Sequence, residues 1–162
     1  MKPPVEPKET SPKGASADEV LLPLDEDRAS VADLPRIRVV AAVIEREGQY
    51  LITQRKPSQR MPLLWEFPGG RVEDAETDAV ALARELAEEM AIAVHVGKEL
   101  FNVESDYPDY VIDFHVYWCE LLSEDVRTIG VHDYRWVTSD ELDQYPFPEV
   151  DQETVNALLE DQ

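Results

Sequence analysis

Residues 65–92 read WEFPGGRVEDAETDAVALARELAEEMAI. From Thr77 to Met90 the composition favours a helix, with Thr77 as N-cap and Asp78 suited to the positive helix end. On a wheel of about 100° per residue, Val80, Ala83, Leu86, Ala87 and Met90 fall within an arc of roughly 120°, the expected core face. Glu85, Glu88 and Glu89 fall within roughly 100° on another side. Carboxylates three or four positions apart repel, at a few tenths of a kcal/mol per pair. A stripe of carboxylates on a rigid helix suits a hard cation such as Mg²⁺, which takes oxygen ligands and keeps waters and substrate phosphates in its shell. The Pro68-Gly69-Gly70 loop ahead of the helix lets the backbone approach the same ligand, because no Cβ intervenes. The competing reading is a solvated acidic face, since glutamate is a good helix former and this chain is rich in it. Arg84 lies one turn before Glu88 and can pair with it or with Glu76.

Outward from this stretch, IRVVAAVIERE (37–47) reads as a buried β-branched strand. Glu47-Gly48-Gln49 is a turn and YLITQR a second strand, so the two form a hairpin. KPSQRMPLL and WEFPGG read as loops. VHVGKELFNVES and YVIDFHVYWCELL are two further strands around the turn Asp106-Tyr107-Pro108-Asp109, and YRWV is a short one. SDELDQY reads as a helical turn capped by Ser139, and EVDQETVNALLED as a C-terminal amphipathic helix. The pattern predicts one α/β domain with a mixed sheet and helices on its faces, over residues 36–162. Residues 1–35 hold six of the twelve prolines and no aromatic residue. That composition predicts a disordered tail, with VLLPL at 20–24 its one apolar cluster.

The net charge of −20 argues against a nucleic-acid binder, which needs a basic face. It leaves room for a small phosphorylated ligand, because divalent cations reverse the sign locally. One cysteine, Cys119, permits no internal disulfide and fits a reducing, cytoplasmic setting; its apolar neighbours make it a core thiol. No secretory signal is visible, and no apolar run approaches the ~20 residues of a membrane span.

The spacing Gly70-x5-Glu76-x7-Arg84-Glu85-Leu86-x-Glu88-Glu89-x-Ala91-Ile92 resembles the signature of the MutT/Nudix hydrolases. That signature is Gly-x5-Glu-x7-Arg-Glu-U-x-Glu-Glu-x-Gly-U, with U aliphatic, and Ala91 replaces its last glycine. WEFPGG, FHVYW, RWV and FPEVDQETV extend the resemblance over residues 36–160, toward the nucleoside-triphosphate branch. The resemblance implies a Nudix-type α/β/α sandwich with a mixed β-sheet, and cleavage of nucleoside diphosphates linked to another group with Mg²⁺ or Mn²⁺. By motif position Glu85, Glu88 and Glu89 would be metal ligands with the Gly69 carbonyl. One of these glutamates, or water held by it, would act as base. Arg84, counted with the catalytic set, would pair with Glu76 to brace the loop at Gly70. Asp151 would meet the nucleobase, unless it is an ordinary helix-start acid, and Arg55 would face phosphates or ribose, unless it is a surface residue.

The implied partner is a small nucleotide, with no nucleic acid or membrane, and the state a monomer or homodimer. The implied reaction is hydrolysis of (deoxy)nucleoside triphosphates, 8-oxo-dGTP-like or CTP-like, to monophosphate and pyrophosphate. The alternatives are a nucleotide-sugar or dinucleoside-polyphosphate hydrolase, or a non-catalytic nucleotide-binding module. Two departures bear on it. Ala91 costs roughly 1 kcal/mol if its backbone is left-handed. Val131 stands where relatives often carry a Glu or Gln that serves as base or ligand, leaving His132, Asp133 or the helix itself for that role.

Overall fold

The structure, a computed structural model, describes residues 33–160, so the expected disorder of the tail, with its VLLPL cluster, lies outside the described residues. Seven strands and two helices follow the chain as β1 (Arg36–Arg46), β2 (Gln49–Gln54), β3 (Trp65–Glu66), β4 (Gly69–Arg71), α1 (Asp78–Met90), β5 (Val94–Asp106), β6 (Val111–Leu121), β7 (Asp133–Val137) and α2 (Glu149–Glu160). The sheet order is β3-β2-β1-β6-β5, with β4 also on β1 and β7 also on β2. β1 runs parallel to β6 from Arg36↔Val111 to Ile44↔Cys119. The other pairings are antiparallel. The sheet is therefore mixed, as the sequence predicts.

β1 is buried on both faces, which is why its sequence is a continuous apolar run and not an alternating one. Val40, Ala42 and Ile44 pack with Leu82, Leu86 and Met90 of α1. Ala41 and Val43 pack with Val155 and Leu158 of α2. This gives the α/β/α layering. The hairpin turn uses left-handed Glu47 (φ 52°) and Gly48 (φ 80°), the geometry that matches strand twist.

WEFPGG is not all loop. Trp65 and Glu66 pair with Gln54 and Thr53, and Gly69–Arg71 pairs with Val39–Ala41. A Cβ on Gly69 would lie 1.9 Å from the Val40 carbonyl oxygen, so the close strand approach requires glycine there. The turn after β7 is a 3-10 helix, Ser139–Gln144, capped by Thr138 and not by Ser139. Thr138 and Glu141 form a reciprocal capping box, a better satisfaction of the free amides than Ser139 offers. Cys119 is a buried free thiol, pushed up to about 12 by burial, as a core role predicts.

α1 begins at Thr77, whose hydroxyl accepts the Val80 N–H at 3.2 Å. Asp78 then anchors it to the sheet. Arg38 Nε and Nη2 donate to its two oxygens at 2.7 and 2.8 Å, and the Tyr117 hydroxyl donates at 2.5 Å. The same Arg38 reaches Asp113 at 3.1 Å, and His115 bridges Asp113 (2.8 Å) and Glu99 (2.6 Å). At its other end the helix stops at left-handed Ala91 (φ 57°, ψ 36°). The amides of Arg127, Ile129 and Gly130 cap the Met90 and Glu89 carbonyls.

The buried face of α1 differs from the expected one. Ala81, Leu82, Leu86 and Met90 are fully buried, whereas Val80 is 56 % exposed and Ala87 is also exposed. On the wheel, Glu85 and Glu89 lie inside the buried arc, between Ala81 and Leu82. An apolar-only arc is therefore displaced, because the helix turns two acids inward.

Candidate active site

A cavity of about 850 Å³ opens between the sheet, the Trp65–Glu73 segment, the β5–β6 turn and the start of α2. One wall carries Glu85, Glu89, Gly69, Gly70 and Glu66. The other end carries Phe67, Val150 and Asp151, and Arg55, Arg60 and Arg71 add positive charge.

Local structure sets each group. The chain from β3 to β4 is pinned by Trp65 N–H to the Pro146 carbonyl (2.9 Å), Phe67 N–H to Asp151 Oδ1 (3.1 Å) and Ala42 N–H to the Pro68 carbonyl (2.8 Å). Gly70 presses on α1: a Cβ there would lie 2.3 Å from the Glu85 carboxyl carbon. Only glycine lets that carboxylate sit against the loop. Arg84 ties the loop to α1. It binds both Glu76 oxygens (2.6 and 2.9 Å), the Arg71 carbonyl (3.1 Å), Glu85 (3.0 Å) and Glu88 (2.9 Å). Those hydrogen bonds lower Glu76 below the usual carboxylate range. The Glu76 carboxylate also takes the Glu73 N–H at 2.8 Å, closing the loop.

The acids on the cavity wall are shifted the other way. Burial, then the negative charges of Glu66 and Glu85, push Glu89 up to about 8. Burial likewise raises Glu85, against the pull of Arg84. Asp151 is raised well above the carboxylate range by burial and next by Glu66. Removal from water disfavours the charged carboxylate, and neighbouring like charges add to that effect.

Of the residues expected from the sequence, the cavity gathers Gly69, Gly70, Glu85, Glu89, Arg55 and Asp151. Glu88 is not on its wall; that side chain is 61 % exposed and held by Arg84. Val131 is buried in the core beside α1. His132 hydrogen-bonds Gln54 through its backbone, and Asp133 binds Arg135 (2.5 Å); neither lines the cavity. Asp151 stands in the first turn of α2 and also lines the cavity.

Glu66 was missed. Its signal was a single acid between two core aromatics, Trp65 and Phe67, a position where period-two alternation turns it to the opposite face. The turn residues Tyr107, Asp109 and Tyr110 also line the cavity. From the sequence, Tyr107 and Asp109 fall in a turn and Tyr110 at the start of the next strand, with no site role, although the two tyrosine rings stack at 4.9 Å.

The donor set offered by Glu85, Glu89, Glu66 and the glycine backbone is all oxygen. Among the described residues no three His, Cys, Asp or Glu side chains stand together as a group that could hold a metal ion, so any cation here would rest on fewer side chains. An open carboxylate wall fits a cation that leaves most of its shell to water and phosphate.

A family model described as the NUDIX domain matches residues 39–157. The chain is 33 % identical over 126 residues to the CTP pyrophosphohydrolase of Escherichia coli K12, covering 76 % of this chain and 91 % of that one. It is 36 % identical over 126 residues to the 8-oxo-dGTP diphosphatase of Haemophilus influenzae, with the same two coverages. The solution structure of the E. coli ORF135 protein is similar at a TM-score of 0.70 and 30 % identity, covering 81 % of this chain and 94 % of that one. The crystal structure of a MutT protein from Methanosarcina mazei matches in fold at a TM-score of 0.69 and 23 % identity, covering 80 % and 98 %. With the fold, the Gly70-to-Ile92 spacing and a matched stretch that runs from β1 into α2, the chain belongs to the Nudix family.

Proposed function

We propose that this protein hydrolyses nucleoside triphosphates to monophosphate and pyrophosphate, using Mg²⁺ or Mn²⁺. The observation that carries the reading is the pairing, in one cavity, of a carboxylate wall (Glu85, Glu89, Glu66) with an Asp151 end lined by Phe67. Two relatives alike over most of their length are a CTP pyrophosphohydrolase and an 8-oxo-dGTP diphosphatase. Retention of all three helix glutamates supports catalysis over a binding-only module.

Glu85, Glu89 and the Gly69 carbonyl would hold the metal; Glu88 would join only by leaving its Arg84 pairing and turning toward the cavity. A bound divalent cation neutralises phosphate charge and acidifies an attacking water. The protein supplies position and charge. Arg84 fixes the Gly70–Glu76 loop against α1, so the carboxylates keep their spacing. Gly70 leaves room for Glu85 to reach the cavity. One of the helix glutamates, or water held by it, would act as base; Glu89, half-buried on the cavity wall and outside the Arg84 hydrogen bonds, is our candidate, while Val131, His132 and Asp133 stand away from the cavity. Burial favours the protonated form of Asp151, and a protonated carboxyl could both donate to and accept from a nucleobase edge. We place the protein in the cytoplasm, acting on free nucleotides as a monomer or homodimer; no described helix is long and apolar enough to cross a membrane.

The test is a panel of normal and oxidised nucleoside triphosphates, nucleotide sugars and dinucleoside polyphosphates with Mg²⁺, scored for pyrophosphate against phosphate. Triphosphates should release pyrophosphate, and EDTA should abolish it. Glu89→Gln should lower kcat by about 10²-fold or more, near 3 kcal/mol, and more than Glu88→Gln does. Near-parental turnover in Glu89→Gln would refute the assignment.

A further inference from the structure

Glu66 has no place in the sequence signature, yet it stands at the centre of the cavity's charge. β3 pairs Glu66 with Thr53 of β2, and Arg55 follows two residues after Thr53. The two side chains meet: Arg55 Nη1 donates to Glu66 Oε1 at 3.0 Å, and Arg55 Nε donates to the Arg60 carbonyl at 2.5 Å. Both line the cavity, with side chains 19 % and 25 % exposed. A guanidinium carries five N–H donors. Arg55 Nη2 has no hydrogen-bond partner among the described residues. Glu66 lines the same cavity as Glu89 of α1 and Asp151 of α2.

We propose that Glu66 is a positioning residue: it holds the Arg55 guanidinium between the carboxylate wall and the Asp151 end, with its free donors turned to a non-bridging phosphate oxygen of the substrate. The identity of that substrate rests on the nucleoside-triphosphate reading; the pairing of Glu66 with Arg55 does not. Arg55 has a long stem whose rotamer freedom must be lost on binding. Glu66 and the Arg60 carbonyl remove that freedom beforehand, which is preorganisation. The arrangement also cuts the other way. Without Arg55, Glu66 is a part-buried carboxylate facing an anionic substrate, and an ion pair broken on one side costs more than one removed whole.

This gives the two residues a signed coupling that independent roles lack. The parent, Arg55→Ala, Glu66→Ala and the double variant are compared by the binding of Mg²⁺-tripolyphosphate, read by calorimetry, and by KM and kcat on the triphosphate panel. Arg55→Ala should weaken binding by about 10- to 100-fold, the loss expected for a charged hydrogen bond. Glu66→Ala should weaken it about 5-fold, mostly in KM. The double variant should bind no worse than Arg55→Ala. Glu66→Gln, which keeps the acceptor oxygen, should stay within about threefold of the parent.

If Glu66→Ala does not fold, Glu66→Asp replaces it; one methylene too short to reach Arg55, it should show the same loss in KM. Losses that multiply in the double variant, or a Glu66→Ala or Glu66→Asp protein that binds like the parent, overturn the proposal. So does a parent that fails to bind Mg²⁺-tripolyphosphate. A parent that binds it with the expected coupling but turns over no nucleoside triphosphate overturns the proposed function and leaves the Glu66 role standing.

Discussion

Ala91 ends α1 with φ 57° and ψ 36°, its N–H bonded to the Ala87 carbonyl at 3.0 Å. An L-residue in that conformation carries about 1–2 kcal/mol of Cβ strain, which glycine does not have. Glycine costs about 0.4–1 kcal/mol through the freer unfolded chain. The Ala91 side chain is exposed, so no packing is lost with its methyl. Ala91→Gly should therefore gain about 0.5–1 kcal/mol, the difference of those two ranges near their middles. At a urea slope of about 2 kcal/mol per M, that is an upward shift in midpoint of about 0.3–0.5 M. Ala91→Val should shift the midpoint down, because a β-branched residue fits the left-handed region worse than alanine. The assay is urea unfolding with EDTA present, followed by tryptophan fluorescence; Trp65 is 7 % exposed and reports the core. Turnover should change little, since Ala91 lies off the cavity. A midpoint that falls in Ala91→Gly would refute the left-handed cap and the strain ascribed to it.

Other outcomes follow from the same geometry. Gly70→Ala should cost activity with little change in melting temperature, because the added Cβ displaces the Glu85 carboxyl, a movable side-chain end. Gly69→Ala should lower the melting temperature, because its Cβ meets the Val40 backbone. Asp78→Asn should destabilise by about 1–2 kcal/mol at pH 7, the low end for charged hydrogen bonds because Arg38 is half exposed. The Arg38 hydrogen bond holds Asp78 below the usual carboxylate range, so its contribution is full above about pH 4 and fades as pH falls through the lowered folded value. Melting curves of parent and variant should converge in acid, and a gap unchanged down to pH 2 would count against the pair. Asp151→Ala should flatten the preference among nucleoside triphosphates by about tenfold or more in kcat/KM, since an unmatched polar edge costs roughly 1–3 kcal/mol. A uniform loss on every base would instead assign Asp151 to pinning the Phe67 amide.

Much of the molecule was legible because local chemistry and tertiary structure agree. Thr77 caps where its hydroxyl can, Glu47-Gly48 turns where both residues accept positive φ, and the Gly70-to-Ile92 spacing places Arg84 on Glu76. The buried face of α1 was not legible, since periodicity equates buried with apolar. This helix gives two half-buried positions on its inward arc, Glu85 and Glu89, to the cavity, and Val80 is left to solvent. β3 and β4 were missed because two- and three-residue strands in a Pro-Gly segment carry no periodic signal. Their pairing comes from β1 and β2. Glu66 escaped because a partner eleven positions away in sequence becomes a neighbour only through that pairing.

The parallel ladder between β1 and β6 also dictates an order of events during synthesis. Arg36 finds its partner at Val111, and Ile44 at Cys119. The central strand must therefore wait for roughly half the domain to be made before its second edge is covered, and such long closures are slow. Until then Val39–Ile44 presents an unpaired β-branched edge, held on one side only by the β2 hairpin and β4. That is the geometry that recruits other chains. A nascent chain stalled before Cys119 would carry the whole of α1 and still leave that edge uncovered, so closure of the sheet over β1 waits on β6 and not on completion of the Gly70-to-Ile92 motif.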